Sequence, residues 1–401
     1  MTLEQPSTVP SPSASGPASG DPVHAAAALV PLLAERAGEA RRLGRLTHDV
    51  VAALDEAGLI RLMAPKRHGG LQVPLATFVG VLDELARGCG STSWVCGIYA
   101  ASLYMLSSFT DEAQDEVYAS ADPKTVAAFQ PEGMATATDG GYRLTGTWRF
   151  CSGQHHAGWA LLSSIAFSDE GPPAPAQFLV PRPDWTAADD WQVSGLSGTG
   201  SCSLTADDVF VPGHRVLPFS DPTKVLSLSE SLSGDPYFGM PFIPFFVTGA
   251  IGTPLGLAKA ALSLFADRVG QRGITYSPYL RQAEAPVTHL QMATAAMKVD
   301  QAGFHAERCV ATVPQVAENP GDIALRVRCR ADAAWATELC REAVAIVRSA
   351  SGARAIRLQD PLSLISADIE ALAVHSFLLH STNAELYGRV LCGLEPDVPF
   401  I

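Results

Sequence analysis

The sequence predicts an α+β protein in three consecutive parts: an N-terminal helical domain (23–124), a central β domain (125–218) and a C-terminal helical bundle (219–401). Three observations predict this order. Up to about residue 118, apolar residues recur at three- and four-residue spacing with charge on the other face. From Thr125 onward, short alternating segments punctuated by Pro and Gly replace that pattern. After Pro254 the helical period returns and holds to about Arg389. A chain of 401 residues, 47% of them hydrophobic, can bury two or three cores or one multilayered unit.

The elements follow in order. Residues 1–22, rich in Pro, Ser and Gly, predict a disordered tail and lack the basic start and apolar run of a signal peptide. AAAALVPLLAERAGEARRL reads as an amphipathic helix. THDVVAALDEAGL reads as a second, with Thr47 at its start and Gly58 at its stop. PKRHGGLQVP is a loop, and FVGVLDELARGCGSTSWVCGIYAASLYMLSSF gives helices apolar enough to be buried throughout. In the β domain, Asp139-Gly140-Gly141 between alternating segments is a hairpin signal. Residues 219–240 form a long Ser/Pro/Gly-rich loop, of a length usual for lids and linkers. Four long helical segments complete the chain, the last running unbroken from Leu364 to Leu391.

Composition excludes several functions. A formal net charge of -13 argues against nucleic acid, whose phosphates require Lys and Arg stripes. The most apolar later stretch, Phe245 to Ala266, is interrupted by Gly249, Gly252, Pro254, Gly256 and Lys259, so a buried helix is expected and not a membrane span. The eight Cys show no C-x-x-C spacing. The His305/Cys309 and His155/Cys151 pairs do not make a four-ligand metal site, so no metal is expected. Free thiols and a cytoplasmic location are the expectation. Gly198-Thr199-Gly200-Ser201 precedes strand residues and not a helix, which rejects a dinucleotide-binding fingerprint.

Six segments, in order from Ala57 to the C-terminus, carry a family likeness: AGLIRLMAPKRHGGL, ELARGCGSTSWV, GTWRFCSGQHHAGW, GLSGTGSCSLTADDVFVP, DIEALAVH and GRVLCGLEPDVPFI. Together they resemble the flavin-dependent monooxygenase branch of the acyl-CoA dehydrogenase superfamily. Its marks here are Ser-x-x-Trp, W-x-F-x-S-G-x-x-H-A-x-W, G-x-x-G-T-G-S and D-x-x-A-x-x-x-H. The resemblance implies the acyl-CoA dehydrogenase-like fold and a two-component oxygenase. Such an enzyme takes reduced FMN, with FAD possible, from a partner flavin reductase. It reacts with O2 through a C4a-hydroperoxide to hydroxylate a small aromatic or amine substrate, and it is a homotetramer.

The resemblance also implies a site. Trp94, Phe150, Cys151, Ser152, Gly153, Thr199, Ser201 and Arg272 would contact the flavin, with Ser152 near N5 and Gly153 letting the backbone approach the ring. Taken alone, Ser152-Gly153 is an ordinary strand-ending turn, and Arg272 an ordinary helix-end cation. Ser102, His156 and His375 would contact substrate. An imidazole titrates near neutrality, so His375 suits a general base, although a His among Leu, Ala, Val and Phe also suits a core. Ser152 and His375 are thus the expected catalytic residues. A dehydrogenase would need a carboxylate base, often in a Tyr-Glu-Gly-Thr segment. Here that stretch reads VHSFLLHSTNAEL, leaving only Glu370 and Glu385 as alternatives. Two departures affect the substrate: Ser102 stands near where phenol-hydroxylating relatives place a His, and Ala367 replaces an Arg before the terminal Asp. A non-catalytic flavin-binding relative is the third reading.

Overall fold

Helix α1 (Pro22–Leu43) begins where the Asp21 carboxylate accepts from the Val23 amide and ends at Gly44, whose φ of 63° closes the last turn. The structure is a computed structural model that describes residues 20–168, 171–219, 227–398 and 401. Of the expected tail, residues 1–19 lie outside it. Helices α2 (His48–Glu56), α3 (Leu75–Gly88), α4 (Gly90–Leu106) and α5 (Asp111–Ala119) complete the first part. Helix α4 has no polar face, and every one of its residues is buried. It forms the axis against which the other parts pack, and it carries Trp94, Tyr99 and Ser102.

Among the described residues the strands are β1 (Thr125–Thr138), β2 (Gly141–Trp148), β3 (Trp159–Ser168), β4 (Gly171–Pro181), β5 (Thr186–Ala187), β6 (Leu204–Pro212) and β7 (Val216–Pro218). They form one sheet in the order β5-β6-β2-β1-β3-β4-β7. The β1–β2 hairpin turns at Asp139-Gly140, as the sequence signals, with Thr138 opposite Gly141. Among the described residues only the β1–β3 pair is parallel.

The third part contains α6 (Phe242–Ala250), α7 (Gly252–Val269), α8 (Pro286–Glu318), α9 (Ile323–Ala350), α10 (Pro361–Ala373) and α11 (His380–Leu391). One expectation is corrected here. The segment 364–391 is not one helix, because it breaks between Ala373 and His380. Asn383 holds the break, its Nδ2 donating to the Ser376 and Leu379 carbonyls at 3.2 and 2.8 Å. The buried Arg330 guanidinium donates in turn to Asn383 Oδ1 at 2.9 Å. A stop made by tertiary hydrogen bonds leaves no Gly or Pro for a sequence reading to find. The described residues of the expected long loop form no helix or strand. Its residues 220–226 lie outside the described chain, but 227–240 are strapped to the helical part. Leu228 N donates to Ser108 O at 2.8 Å, and Ser229 and Ser231 bind the Asp111 carboxylate.

The stretch Phe242–Val269 is long and apolar enough to cross a membrane, yet 89% of its most apolar window is buried inside the fold. The glycines that interrupt it explain why. A Cβ on Gly256 would stand 2.0 Å from the Asp83 carbonyl oxygen, and one on Gly252 2.5 Å from that of Val79. Helix α7 therefore crosses α3 backbone to backbone. Gly256→Ala is expected to destabilise by about 1–3 kcal/mol, since the contact is main chain and cannot turn aside. Gly303→Ala, on α8 with open space around it, should be neutral or stabilise by up to about 1 kcal/mol. Urea denaturation of the two variants checks both signs.

Candidate active site

Strand β2 ends at Trp148, and the chain passes from it into a turn at the foot of α4. Phe150 adopts φ 61° with its ring 72% exposed, set edge-on to Trp191. A bulky non-glycine residue in left-handed backbone with an exposed aromatic ring is the sort of strain that persists where it serves a site. Arg149 ties this turn down, binding Glu132 through its backbone amide and through its guanidinium. Gly153 has φ 82°, and a Cβ there would meet the Tyr99 ring and Val95 at 3.0 Å. The close neighbour that excludes a side chain is therefore α4. Tyr99 Oη completes the joint by donating to Gly153 O at 2.6 Å.

A chain of hydroxyls follows. Trp94 Nε1 donates to Ser152 Oγ at 3.2 Å. Ser152 Oγ lies 2.7 Å from Ser201 Oγ, which lies 2.7 Å from Thr199 Oγ1, and Thr199 Oγ1 donates to Leu196 O at 2.7 Å. Both ends fix the direction, because an indole N–H can only donate and a carbonyl can only accept. Ser152 accepts from Trp94 and donates to Ser201. One lone pair remains on Ser152, so what its hydroxyl can offer a ligand is an acceptor.

Asp368 on α10 closes the circuit and was not among the expected site residues. Its Oδ1 accepts the Leu196 amide at 2.7 Å, holding that residue at φ 52°. The signal was present, since Asp368 opens the D-x-x-A-x-x-x-H segment. Seven residues on, in the break after α10, His375 sets its ring 5.1 Å from Trp94, 6.5 Å from Phe246 and 6.0 Å from Phe377. Desolvation among these rings pushes its imidazole down to about 4, so it is neutral at pH 7. The Phe377 amide donates a long 3.4 Å bond to His375 Nδ1, and the Arg330 guanidinium lies 5.2 Å from the Phe377 ring. The Arg330–Asn383 clamp thus positions His375.

The structure gathers Trp94, Ser152, Gly153, Thr199, Ser201 and His375, and places the other expected residues elsewhere or differently. Cys151 is fully buried with its thiol toward the Trp148 carbonyl. Its amide, which donates to Cys202 O, is part of the turn. His156 Nε2 pairs with Leu46 O at 2.9 Å and its ring packs on His48, so it ties the turn to the start of α2. Arg272 uses its guanidinium on Gln282 and on the Ser351 and Ala350 carbonyls, where it caps α9. Ser102, two turns along α4 from Trp94, is buried with its hydroxyl unpaired. A donor without a partner at that depth is costly unless a ligand meets it.

The comparisons agree with this geometry. Residues 25–121 match the family described as acyl-CoA dehydrogenase, N-terminal domain, and residues 249–379 match the acyl-CoA dehydrogenase, C-terminal domain. The pigment production hydroxylase of a Rhodococcus species is 31% identical over 386 residues, covering 95% of this chain and 98% of its own. The oxygenase component of an FADH2-dependent resorcinol hydroxylase from a Rhizobium species is 33% identical over 375 residues, covering 90% and 91%. This chain belongs to the flavin-dependent monooxygenase branch of the acyl-CoA dehydrogenase superfamily. Among solved structures of that branch, XiaF from a Streptomyces species, in complex with FADH2 and glycerol, superposes with a TM-score of 0.88 at 30% identity over 95% of this chain and 97% of its own. The cluster suits the branch's cofactor. A flat ring system with a polar edge needs apolar walls and a few hydrogen-bonding groups, and Trp94, Phe150 and the spare lone pair of Ser152 supply both kinds.

In this monooxygenase, Asp368 makes a testable electrostatic joint. Burial raises its carboxyl to about 6, opposed by the Leu196 amide and the Arg41 charge, and it pushes up the neighbouring Cys89 thiol. A carboxyl raised on folding from 3.8 binds more protons in the native state, so its contribution to stability falls as pH rises from about 4 to about 6. His375, lowered from 6.5 to about 4, contributes with the opposite sign over nearly the same interval. Asp368→Asn keeps an oxygen for the Leu196 amide without the charge. It should gain stability relative to wild type as pH rises from about 4 to above about 6, as read by thermal melting at both ends. An unchanged pH dependence would show that Asp368 is ionised throughout.

Proposed function

We propose that the chain is the oxygenase component of a two-component flavin-dependent monooxygenase, using reduced flavin and O2 through a C4a-hydroperoxide to hydroxylate an aromatic substrate. The observation that carries this reading is the Ser152 lone pair, left open by the directed hydroxyl chain, in a cluster that presents an imidazole and whose carboxyl, Asp368, is turned onto the Leu196 amide. Glu370 is exposed and paired with Arg341 at 3.5 Å, and Glu385 faces Arg389 at 3.9 Å, so neither alternative base joins Trp94 and His375. That weakens the dehydrogenase reading.

Bound reduced flavin supplies the two electrons and the activated oxygen. The chain's own residues do the rest. Ser152, with its spare lone pair, would hold the ring's N5–H by accepting a hydrogen bond from it. The apolar rings of Trp94, Phe246 and Phe377 keep water out. His375, held neutral with Nδ1 accepting from the Phe377 amide, carries its own proton on Nε2; it takes a proton from a substrate hydroxyl at Nδ1, in exchange for that long 3.4 Å bond, and the anion so formed stabilises the imidazolium. A partner reductase is supported by the relatives named as oxygenase components. The resorcinol hydroxylase component and XiaF are named with FADH2, which supports FAD beside the FMN expected from sequence.

The test supplies chemically reduced FMN or FAD with O2 and a panel of phenols, polycyclic aromatics and amines. Hydroxylation is expected with reduced flavin and none with NADH alone; NADH-driven turnover by the pure chain sinks the two-component reading. Ser152→Ala should release several-fold more H2O2 per product, the scale of one lost hydrogen bond of ~1 kcal/mol. His375→Ala should bind flavin normally and form product roughly 10²-fold more slowly. Wild-type rates in folded His375→Ala would make His375 a core residue only.

A homotetramer assembled through the C-terminal helices belongs to the same proposal. Its support is a stripe on α8 in which Val287, Leu290, Met297 and Phe304 are 50%, 70%, 58% and 66% exposed. The last three stand seven residues apart, as in a helix seam. A monomer at micromolar concentration in light scattering refutes it.

A further inference from the structure

Beyond Phe246, on the side away from His375, the apolar wall continues through Phe242 and Phe129. Phe246 lies 6.5 Å from His375 ring to ring, and Phe129 lies 6.0 Å from Phe246 and 4.9 Å from Phe242. Behind Phe129 and Phe242 is a recess of about 20 Å³, lined also by Ser163, Gln177, Phe219 and Ile243. That is room for one water or one polar group and no more. Ser163 on β3 and Gln177 on β4 stand directly opposite one another in the sheet register. They are 8% and 1% exposed. Gln177 Nε2 donates to Ser163 Oγ at 2.8 Å, and the Ser163 carbonyl is held by the fully buried Trp148 indole at 2.6 Å. Gln177 Oε1 has no partner. A buried amide oxygen left unpaired at the end of an aromatic corridor costs free energy unless something donates to it.

We propose that Ser163 and Gln177 form a distal subsite that receives a hydrogen-bond-donating group, a hydroxyl or an N–H, on the ring of the substrate remote from His375. The substrate is then a linked or fused aromatic of two or more rings, lying along Phe246, Phe242 and Phe129 with its reacting ring at His375 and its far donor on Gln177 Oε1. A single-ring phenol would fill the near end and leave the Gln177 oxygen unpaired or wet. Sites that place one polar group in an otherwise apolar cleft use it to fix orientation and to reject analogues that lack it. This inference rests on the aromatic hydroxylase reading above, but its test needs neither flavin nor turnover.

The test measures calorimetric binding of three biphenyls to the full chain: biphenyl-4-ol, 4,4'-dihydroxybiphenyl and 4'-methoxybiphenyl-4-ol. All share one shape, and they differ in whether the far end donates, only accepts or does neither. The wild-type chain should bind the dihydroxy compound about fivefold or more tighter than either other, the scale of one hydrogen bond to a buried acceptor. Gln177→Met should erase that preference while leaving the affinity for biphenyl-4-ol unchanged or higher, which also shows that the variant is folded. Ser163→Ala frees the Gln177 amide to turn and should weaken the preference without abolishing binding. Equal affinities in wild type mean that water alone fills the recess, and they overturn the proposal. So do a preference for the methoxy compound, a preference that survives in Gln177→Met, or no binding of any biphenyl at millimolar concentration. Donor preference without hydroxylation by reduced flavin would leave the subsite standing and remove the oxygenase reading. Hydroxylation without donor preference would do the reverse.

Discussion

The directed hydrogen-bond chain from Trp94 through Ser152, Ser201 and Thr199 to Leu196, closed by Asp368, is the constraint on which the candidate site depends. Three of its links, Trp94 to Ser152, Ser152 to Ser201 and Leu196 to Asp368, join different elements. Trp94 is on α4, Ser152 in the turn after β2, Thr199 and Ser201 in the loop before β6, and Asp368 on α10. The chain therefore sets the relative position of all three parts of the fold at one place. Because its two ends are a group that can only donate and a group that can only accept, it has a single polarity. A buried network satisfied in one way specifies its geometry more sharply than packing can.

Two of the five non-glycine residues with left-handed backbone among the described residues lie along this chain. Phe150 and Leu196 both sit in left-handed backbone, one beside Ser152 and the other bonded to Asp368. Each costs of order 1–3 kcal/mol and persists only where surrounding contacts over-determine it. Here those contacts are the Arg149–Glu132 pair on one side and the Asp368 carboxylate on the other. His375 is held by the same kind of device, the Arg330–Asn383 clamp, in a gap between helices. The acceptor at Ser152 and the imidazole of His375 thus reach one cleft from different parts of the chain, each on a rigid support.

How much of this could be read in advance depended on the range of the forces involved. The helix, strand, helix order, the Asp139-Gly140 turn and the buried character of α4 come from periodicity and turn chemistry, which act over a few residues. The family likeness then pointed to Ser152, Ser201, Thr199, Trp94 and His375. Placement was harder where a side chain has two plausible partners. Arg272 and His156 are polar residues near the right segments, but a helix C-terminus claimed one and the Leu46 carbonyl the other. Gly153 was singled out for a close approach to the ring, and the neighbour that excludes a side chain there is Tyr99 on a distant helix.

By itself the sequence determined the order of the three parts, the apolar axis helix, the hairpin and the short polar segments that carry the site, because each is written in local composition and spacing. Only the tertiary structure decided that the last long segment breaks at His375, that Asp368 holds the loop opposite Ser152, and that Gln177 lines a recess beside Phe129 and Phe242 with its oxygen unpaired. Those outcomes turn on hydrogen bonds between residues tens to hundreds of positions apart. Such bonds form only when the packed fold brings buried donors and acceptors together and makes leaving them unpaired expensive.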